Sequence, residues 1–342
     1  MRYFFEHSIS RPPTAREREV LTLRLARLKA MEQSAVDATA KLQELVEHRA
    51  SPPGDLRIRH EFIRLPNAPS TADMTSRRGT ERYERPPSTR VLSPRGIALS
   101  FILTTLLDAQ MRLLPGQIAA PNERAIKAGT HHDGWTNYVA TDAQVADKGK
   151  VFKTVRAKKV RQIQSGLVRL ADEKLIHLPR DARGQRDYDR FTLLRDDARP
   201  TGDNDEYKVP DVEADYFTVP LTLFTNGWIH VLEDSELVLL LITARFHRKY
   251  GDTPQPMSSG PRKLNYGLTK DSYESAHRIL DYLKIISVIA DWNRTSDGKV
   301  SAIRERGAQP HHLRFHPDML ERPAYPTIVD TLTQQIARSE AS

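Results

Sequence analysis

The sequence predicts a mainly α-helical protein with small β-hairpins, an α+β fold in which two similar helix-plus-hairpin units follow a long N-terminal helix. Apolar residues recur at steps of three and four from Val160 to Leu170, and a Leu-Ile pair follows the polar turn ADEK. This is the spacing of one helix face that leads into a strand. The same spacing returns 113 positions later, from Tyr273 to Ile289. The repeat predicts two copies of one structural unit.

Composition limits the classes of function. The chain has 342 residues, enough for two or three domains, and 39% of them are hydrophobic, enough for a packed core. Lys and Arg number 52 against 44 acidic residues, and the net charge of +8 favours nucleic acid or an anionic surface as partner. Cysteine is absent, which excludes disulfides, thiolate metal ligands and cysteine nucleophiles.

No segment has the length of a membrane span. The apolar runs 97–107 and 237–244 are shorter than the roughly 20 residues that a transmembrane helix needs. The N-terminal sequence MRYFFEHSISRPP has too short an apolar stretch for a signal peptide. The sequence therefore predicts a soluble, cytoplasmic protein without a membrane partner.

Residues 1–50 are predicted to form an N-terminal helical arm, with one long helix over 14–49. Thr14 and Glu17 stand at the two positions of a capping box, behind a Pro-Pro pair. Apolar residues follow a 4-3 repeat that is interrupted twice, and a second apolar stripe runs beside it. Two interpretations follow: a coiled-coil arm that pairs with a second copy of the chain, or a helix that packs on its own domain.

Residues 51–92 are rich in Pro, Ser, Thr and Arg and contain few large apolar side chains. Such a composition cannot bury enough surface to order itself, so we expect a flexible basic linker. A basic arm that lies along phosphates or in a minor groove is the functional alternative. An isolated run of charges favours the plain linker.

The remaining chain divides at an acidic linker, 196–215. Before it, over 93–195, we expect an apolar helix, an irregular insert, the basic helix and a hairpin that turns at Gly184. After it, over 216–320, we expect a helix, the second matching helix and a longer hairpin. Residues 321–342 form a weakly helical C-terminal tail.

Both units resemble winged helix-turn-helix domains. The resemblance is carried by VRQIQSGLVRLADEKLIHL with RGQRDYDRFTLL, and by SYESAHRILDYLKIISVIAD with HHLRFHP. The chain is similar to tandem winged-helix DNA-binding proteins, a layout found in bacterial transcriptional regulators and plasmid replication initiators. The resemblance implies two winged-helix domains and a bacterial protein associated with the nucleoid or a plasmid.

The basic helix of the first unit is the strongest candidate for DNA contact. From Lys150 to Arg169 the chain carries seven Lys and Arg residues and no acidic one. Winged-helix proteins place this helix in the major groove, where Arg and Lys bond guanine edges and phosphates. We expect base contacts from the early residues and phosphate contacts from the others. The predicted DNA-binding residues of this helix are Lys153, Arg156, Lys158, Lys159, Arg161, Gln162 and Arg169.

The second unit and the two hairpins are weaker candidates. In the second helix, Lys270 and Arg278 are offset by three carboxylates, so we expect it to add less affinity or to bind protein. Basic hairpin tips can enter a narrow minor groove, although exposed hairpins are often basic without any such role. The predicted hairpin contacts are Arg183 and Arg186 in the first unit and Arg294 and Lys299 in the second.

Other chemistry finds little support in the sequence. His311, His312 and His316 lack a third ligand at suitable spacing, so core or surface histidines are the favoured interpretation and no metal is predicted. Phosphate-binding loops, nucleophile elbows and zinc-protease motifs are absent. We expect no catalysis, no cofactor and no small-molecule ligand.

The sequence thus predicts a sequence-specific protein for double-stranded DNA, acting as a homodimer in transcriptional regulation of a plasmid, phage or chromosomal locus. A plasmid replication initiator that binds origin repeats is an alternative within DNA binding. A winged-helix adaptor that binds other proteins is the alternative from a different class.

Overall fold

The protein is mainly helical with small antiparallel sheets, an α+β fold. The computed structural model describes residues 4–6, 11–48, 54–67, 80–93, 96–141, 154–199, 204–291 and 310–341. Its α-helices within these ranges are α1 Ala15–Glu47, α2 His60–Ile63, α3 Pro87–Arg90, α4 Ala98–Arg112, α5 Val155–Asp172, α6 Thr222–Thr225, α7 Trp228–Val231, α8 Asp234–Tyr250, α9 Ser259–Leu264, α10 Lys270–Tyr282 and α11 Ala324–Glu340.

Three small sheets connect distant parts of the chain. The strands are β1 Phe4–Glu6, β2 Asp55–Arg59, β3 Ile176–His177, β4 Thr192–Leu193, β5 Tyr216–Pro220, β6 Gln255–Pro256, β7 Ile286–Asp291 and β8 His312–Phe315. The largest sheet has the order β1-β7-β8-β6, and the pairs β2-β5 and β3-β4 form the other two. All pairs are antiparallel, so each helix-plus-hairpin unit contributes one hairpin, β3-β4 or β7-β8.

The long helix α1 is part of the protein core. Its capping box is confirmed: the Thr14 side chain accepts from the backbone N–H of Glu17, and the Glu17 side chain accepts from that of Thr14. Both apolar stripes are buried, including Leu28 and Leu42, against α4, α6, α7 and α11. Of the two interpretations, the structure has the helix packed on its own chain. Burial of both stripes removes the seam that a coiled coil would use.

The prediction of a flexible linker over 51–92 is wrong for the part that the structure describes. Strand β2 pairs along its length with β5, and Leu56 and Ile58 are fully buried. Arg90 is only 1% exposed, and its Nε lies 3.1 Å from the Glu173 carboxylate. Basic residues predicted to be solvated are neutralised inside the fold, because distant segments supply their partners.

The acidic linker predicted over 196–215 is also ordered where it is described. Asp196 is buried, forms an ion pair with Arg59 and accepts from the Arg59 backbone N–H at 2.9 Å. Tyr207 is fully buried, and its backbone N–H donates to the Leu193 carbonyl at 2.9 Å. One continuous cluster of buried hydrophobic residues includes side chains of both units. The core is therefore not interrupted at the predicted domain boundary.

The C-terminal tail predicted over 321–342 contains a regular helix. Helix α11 lies along α1 and buries Ile328 and Leu332 in the shared core. The two ends of the chain meet there, since Ser339 Oγ donates to the Pro13 carbonyl at 2.7 Å. The first and last helices therefore form one layer across the molecule.

The two helix-plus-hairpin units share the same turn. Lys174 and Lys284 both have φ of 61° in the left-handed region, and in the described chain they are the two non-glycine residues that do so. The following N–H groups donate back into the helix, Leu175 to Leu170 at 2.9 Å and Ile285 to Leu280 at 3.0 Å. This is the Schellman ending of a helix, with lysine where glycine is usual. The turn leads directly into β3 and β7.

The offset between the units needs correction. Leu170 corresponds to Leu280, so the structural repeat is 110 residues and not the 113 read from apolar spacing. In the hairpins, the carbonyl acceptors of equivalent hydrogen bonds have the same offset of 110 residues. In the first unit the Leu194 N–H donates to the Leu175 carbonyl, and in the second the His316 N–H donates to the Ile285 carbonyl. The three-residue error is close to one helical turn, a displacement that leaves an apolar stripe on the same face.

Candidate nucleic-acid interface

Helix α5 is held by its apolar stripe and presents the other face outward. The Thr154 side chain caps its start by accepting from the Ala157 N–H at 3.1 Å. Ile163, Leu167 and Leu170 are fully buried, and the helix packs against α4. The side chains opposite this stripe face solvent, as the periodicity predicts.

Three predicted basic residues lie on the accessible part of α5. Arg156 and Arg161 are exposed, and Lys158 is half-buried. Arg161 and Lys158 lie on the side opposite the buried stripe, three positions apart. Arg156 stands in the first turn, where its guanidinium donates to the Ala128 carbonyl. Lys158 and Arg161 thus form a short basic surface at the N-terminal half of the helix, and Arg156 lies apart from it.

Two residues predicted to contact bases point into the protein. Lys159 is half-buried, its Nζ lies 3.4 Å from Ser34 Oγ of α1, and burial lowers its pKa to about 8. Gln162 accepts a hydrogen bond from Thr141 Oγ1 at 2.5 Å. In this structure, therefore, neither side chain extends from the exposed face of α5. Both lie at the margin of the buried stripe, which is wider than the sequence indicated.

Arg169 is also held by the protein. Its guanidinium donates to the carbonyl oxygen of Arg90 at 2.8 Å and approaches that of Leu92 at 3.5 Å. Partial burial lowers its pKa from the usual value. The side chain ties α5 to the segment before α4 and is not extended toward solvent.

The β3-β4 hairpin carries two predicted arginines, and one of them, Arg186, lines the groove that borders this helix. Arg183 and Arg186 are exposed at a turn in which Gly184 has φ of +75°. The Asp181 carboxylate shapes the turn by accepting from the Arg183 N–H at 2.9 Å. A groove of about 400 Å³ separates the hairpin from α5, lined by Lys127, Val160, Gln164, Arg186 and neighbouring residues. The hairpin and the helix thus form one surface.

Sequence reasoning missed two further basic groups at this surface. Arg180 lies in the hairpin and donates to the Gly184 carbonyl at 2.7 Å. Lys127 comes from the irregular insert, whose position relative to α5 no periodicity could predict. Asp181, Asp187 and Asp189 also line the groove, so its lining carries three acidic side chains beside the two basic ones, Lys127 and Arg186.

The second unit offers a different surface. Lys270 is exposed in the first turn of α10, where its Nζ lies 3.6 Å from a Glu274 carboxylate oxygen. Arg278 is partly buried and forms an ion pair with Glu17 at the start of α1. The two predicted residues are therefore each paired with a carboxylate, and they are not assembled with the basic face of α5.

A small network covers the C-terminal half of α10. The Arg11 guanidinium donates two hydrogen bonds of 2.9 Å to the Glu17 carboxylate, which also pairs with Arg278. Burial opposes ionisation of Glu17, but the hydrogen bonds from Arg11 and Thr14 and the charge of Arg278 lower its pKa to about 2. The helix that corresponds to α5 is thus partly closed by the N-terminal segment.

Three predicted DNA-binding residues lie outside the described residues, namely Lys153, Arg294 and Lys299. Among the residues that are described, no three His, Asp or Glu side chains are grouped as metal ligands would be. His316 Nε2 is instead 2.7 Å from Ser287 Oγ, across the β7-β8 hairpin.

Comparisons with known proteins identify no relative of this chain. No protein family, curated protein or solved structure matches this chain at a significant level. Within the described ranges, no helix combines the length and the apolar character needed to cross a bilayer.

Proposed function

We propose that this chain binds double-stranded DNA through the outward face of α5 and the β3-β4 hairpin. The observation that carries the proposal is that Lys158 and Arg161 lie on the outward face of α5, while Arg186 of the hairpin lines the groove beside this helix. A helix of this size fits the major groove, and a neighbouring basic hairpin can contact the flanking phosphates or minor groove. Sequence-specific regulation of transcription is the role that this surface supports best.

The order of elements in the second unit supports a winged-helix assignment. Helix α8, strand β6, helices α9 and α10 and the hairpin β7-β8 follow one another, and β6 pairs with β8. The turn between α9 and α10 contains Gly267, whose φ of +65° and close approach to Thr89 favour glycine. The first unit has the same helix, lysine turn and hairpin.

The test is DNA binding by fluorescence anisotropy across a salt series, with the protein's own upstream DNA and a scrambled duplex. We expect Lys158→Ala/Arg161→Ala to weaken binding by about tenfold or more and to lower the log–log salt slope by about 2, since two phosphate-proximal cations are lost. Lys270→Ala/Lys284→Ala is the matched control, because it removes two exposed cations from the second unit. Equal losses in the two variants would contradict the proposal.

The DNA that the protein protects in a footprinting experiment distinguishes a transcriptional regulator from a replication initiator. A regulator protects a site at a promoter, whereas a replication initiator protects an array of repeats at an origin. Footprinting on the DNA that flanks the gene separates these outcomes.

Protein binding is the second candidate function. Three large apolar side chains are exposed on segments around the Ile118–Lys208 bridge: Leu114 at 60%, Ile118 at 58% and Val212 at 87%. Exposed apolar groups of this kind favour a protein contact. Weak binding to both duplexes, fully suppressed by salt, would favour this function over DNA recognition.

A further inference from the structure

A cavity of about 480 Å³ lies where the two units meet α1. Its walls come from α1, α4, the segment 138–141, α5 and the turn between α7 and α8. Leu28, Met31, Ile97, Val139 and Ile229 make much of the lining apolar. The volume falls within the range of pockets that hold small organic ligands.

One end of the cavity carries a carboxylate with few partners. Asp234 Oδ2 accepts a hydrogen bond of 3.2 Å from the Ser93 backbone N–H, and no side-chain donor contacts it among the described residues. Burial raises the pKa of Asp234 to about 7. A carboxylate in such a site is stabilised by any cation that enters.

The other titratable groups of the lining do not supply that cation. Arg27 is engaged with Glu233, with 2.5 Å between Nη2 and Oε1. Burial lowers the pKa of His230 to about 3, so its ring is neutral at pH 7, and its Nε2 has no hydrogen-bond partner in the described structure. Of the charges described around the cavity, that of Asp234 is therefore the one without a counter-charge.

We infer that this cavity binds a small organic cation, an amine with an apolar body, whose ammonium group pairs with Asp234. The apolar walls would hold the body, and the hydroxyl groups of Ser93, Ser100 and Ser235 stand nearby as acceptors. This site departs from the expectation of no small-molecule ligand. No periodicity could reveal it, because its walls come from segments that lie far apart in the sequence.

The cavity also touches the helix of the proposed DNA surface. Gln162 of α5 lines it, and the hydrogen bond from Thr141 to Gln162 crosses its wall. A ligand that occupies the cavity contacts α5 at Gln162, the residue next to Arg161. If the proposed DNA binding holds, the amine would act as an effector, but ligand binding itself does not depend on it.

The experiment compares three probes with one body and different heads: 4-phenylbutylamine, 4-phenylbutanol and 4-phenylbutyrate. Isothermal titration of the full chain at pH 7.5, without nucleic acid, should show the amine binding about tenfold more tightly than the alcohol. The carboxylate should bind most weakly. Equal affinities for all three probes, or no binding at millimolar concentration, would overturn the inference.

Variants locate the site. Asp234→Asn keeps the shape and should remove the preference for the amine while leaving the alcohol unchanged. Asp271→Asn, which removes an exposed carboxylate of α10 outside the cavity, is the matched control. Ala140→Met narrows the cavity and should weaken all probes, with circular dichroism reporting that the fold is kept. An unchanged amine affinity in Asp234→Asn would refute the site, whatever the outcome of the DNA experiment.

Discussion

The two helix-plus-hairpin units share one backbone arrangement, but their helices differ in charge: α5 is mainly basic and α10 is slightly acidic. Both helices begin at a threonine cap and end in a left-handed lysine that leads into an antiparallel hairpin. From cap to cap, α5 (154–173) carries five basic and two acidic residues, whereas α10 (269–283) carries two and three. The outward face of α5 is open at Arg161, and that of α10 is closed at Arg278 by Glu17.

Repetition of a structural unit in this chain therefore does not imply repetition of its role. The buried stripe and the turn are shared because both helices must pack on a neighbouring helix and reverse into a strand. The exposed side chains are under no such packing constraint. Helix α10 has more acidic than basic residues, and its Arg278 is paired with Glu17 of α1, so we assign the second unit mainly to the scaffold.

Truncation of a buried leucine in the shared core should lower the stability of the protein more than any other change proposed below. Leu170→Ala and Leu280→Ala remove equivalent, fully buried side chains, and each should lower the free energy of unfolding by about 3 kcal/mol. Urea unfolding followed by circular dichroism and tryptophan fluorescence measures it. Leu23→Ala, at a leucine that is 67% exposed, is the control and should change stability by less than about 0.5 kcal/mol.

The same pair of variants tests whether the two units unfold together as one cooperative domain. A continuous core predicts that both mutations shift the same transition. Two separable transitions, with each variant moving a different one, would mean that the units fold as independent domains.

A smaller change in stability is expected at the ion pair between Glu17 of α1 and Arg278 of α10. Glu17→Gln should destabilise the protein by about 1 kcal/mol at pH 7, a value reduced for the partial exposure of this carboxylate. Because the folded pKa of Glu17 is lowered to about 2, its contribution is complete above about pH 4.5 and disappears as the pH falls toward 2. Urea unfolding at a series of pH values should show wild type and variant converging across that window.

Glu44→Gln is the matched control for this contact. Glu44 lies on the same helix and pairs with Lys41 at 2.7 Å on the surface, so its loss should change stability by less than about 0.5 kcal/mol. A constant difference between wild type and Glu17→Gln from pH 7 to pH 2 would contradict the assigned ion pair.

Substitutions at the two left-handed lysines should change the free energy of unfolding least. Lys174→Gly and Lys284→Gly should each stabilise the protein by about 0.5 kcal/mol, since glycine adopts a φ of 61° without the side-chain strain. Lys158→Gly makes the same change at a helical position of α5 and should destabilise by about 0.5 to 1 kcal/mol. Thermal unfolding compares the three, and a loss of stability in both turn variants would disprove the shared Schellman ending.

Much of the local structure could be predicted from the sequence. The capping box of α1, the end of α8 at Gly251 and the hairpin turn at Gly184 all depend on a few neighbouring residues. The repeat was visible as well, although its offset was wrong by about one turn. The lysine followed by two aliphatic residues, KLI in one unit and KII in the other, was the signal for the correct register.

The site could be predicted only in part. Exposure of Arg161 follows from its position opposite the stripe, but the inward direction of Lys159 and Gln162 depends on Ser34 and Thr141. These partners lie far away in the sequence. A residue at the edge of a helix face has no fixed environment until its neighbours are in place.

Contacts within a few residues encode the elements of this protein: long amphipathic helices, their caps, two hairpin arginines and a repeated unit. Which charges remain at the surface depends instead on the tertiary structure. It buries Arg90 and Arg59 in ion pairs, pairs Arg278 of α10 with Glu17 of α1 and leaves Arg161 of α5 exposed. Burial and charge pairing depend on which distant segments meet, and local spacing carries no record of that.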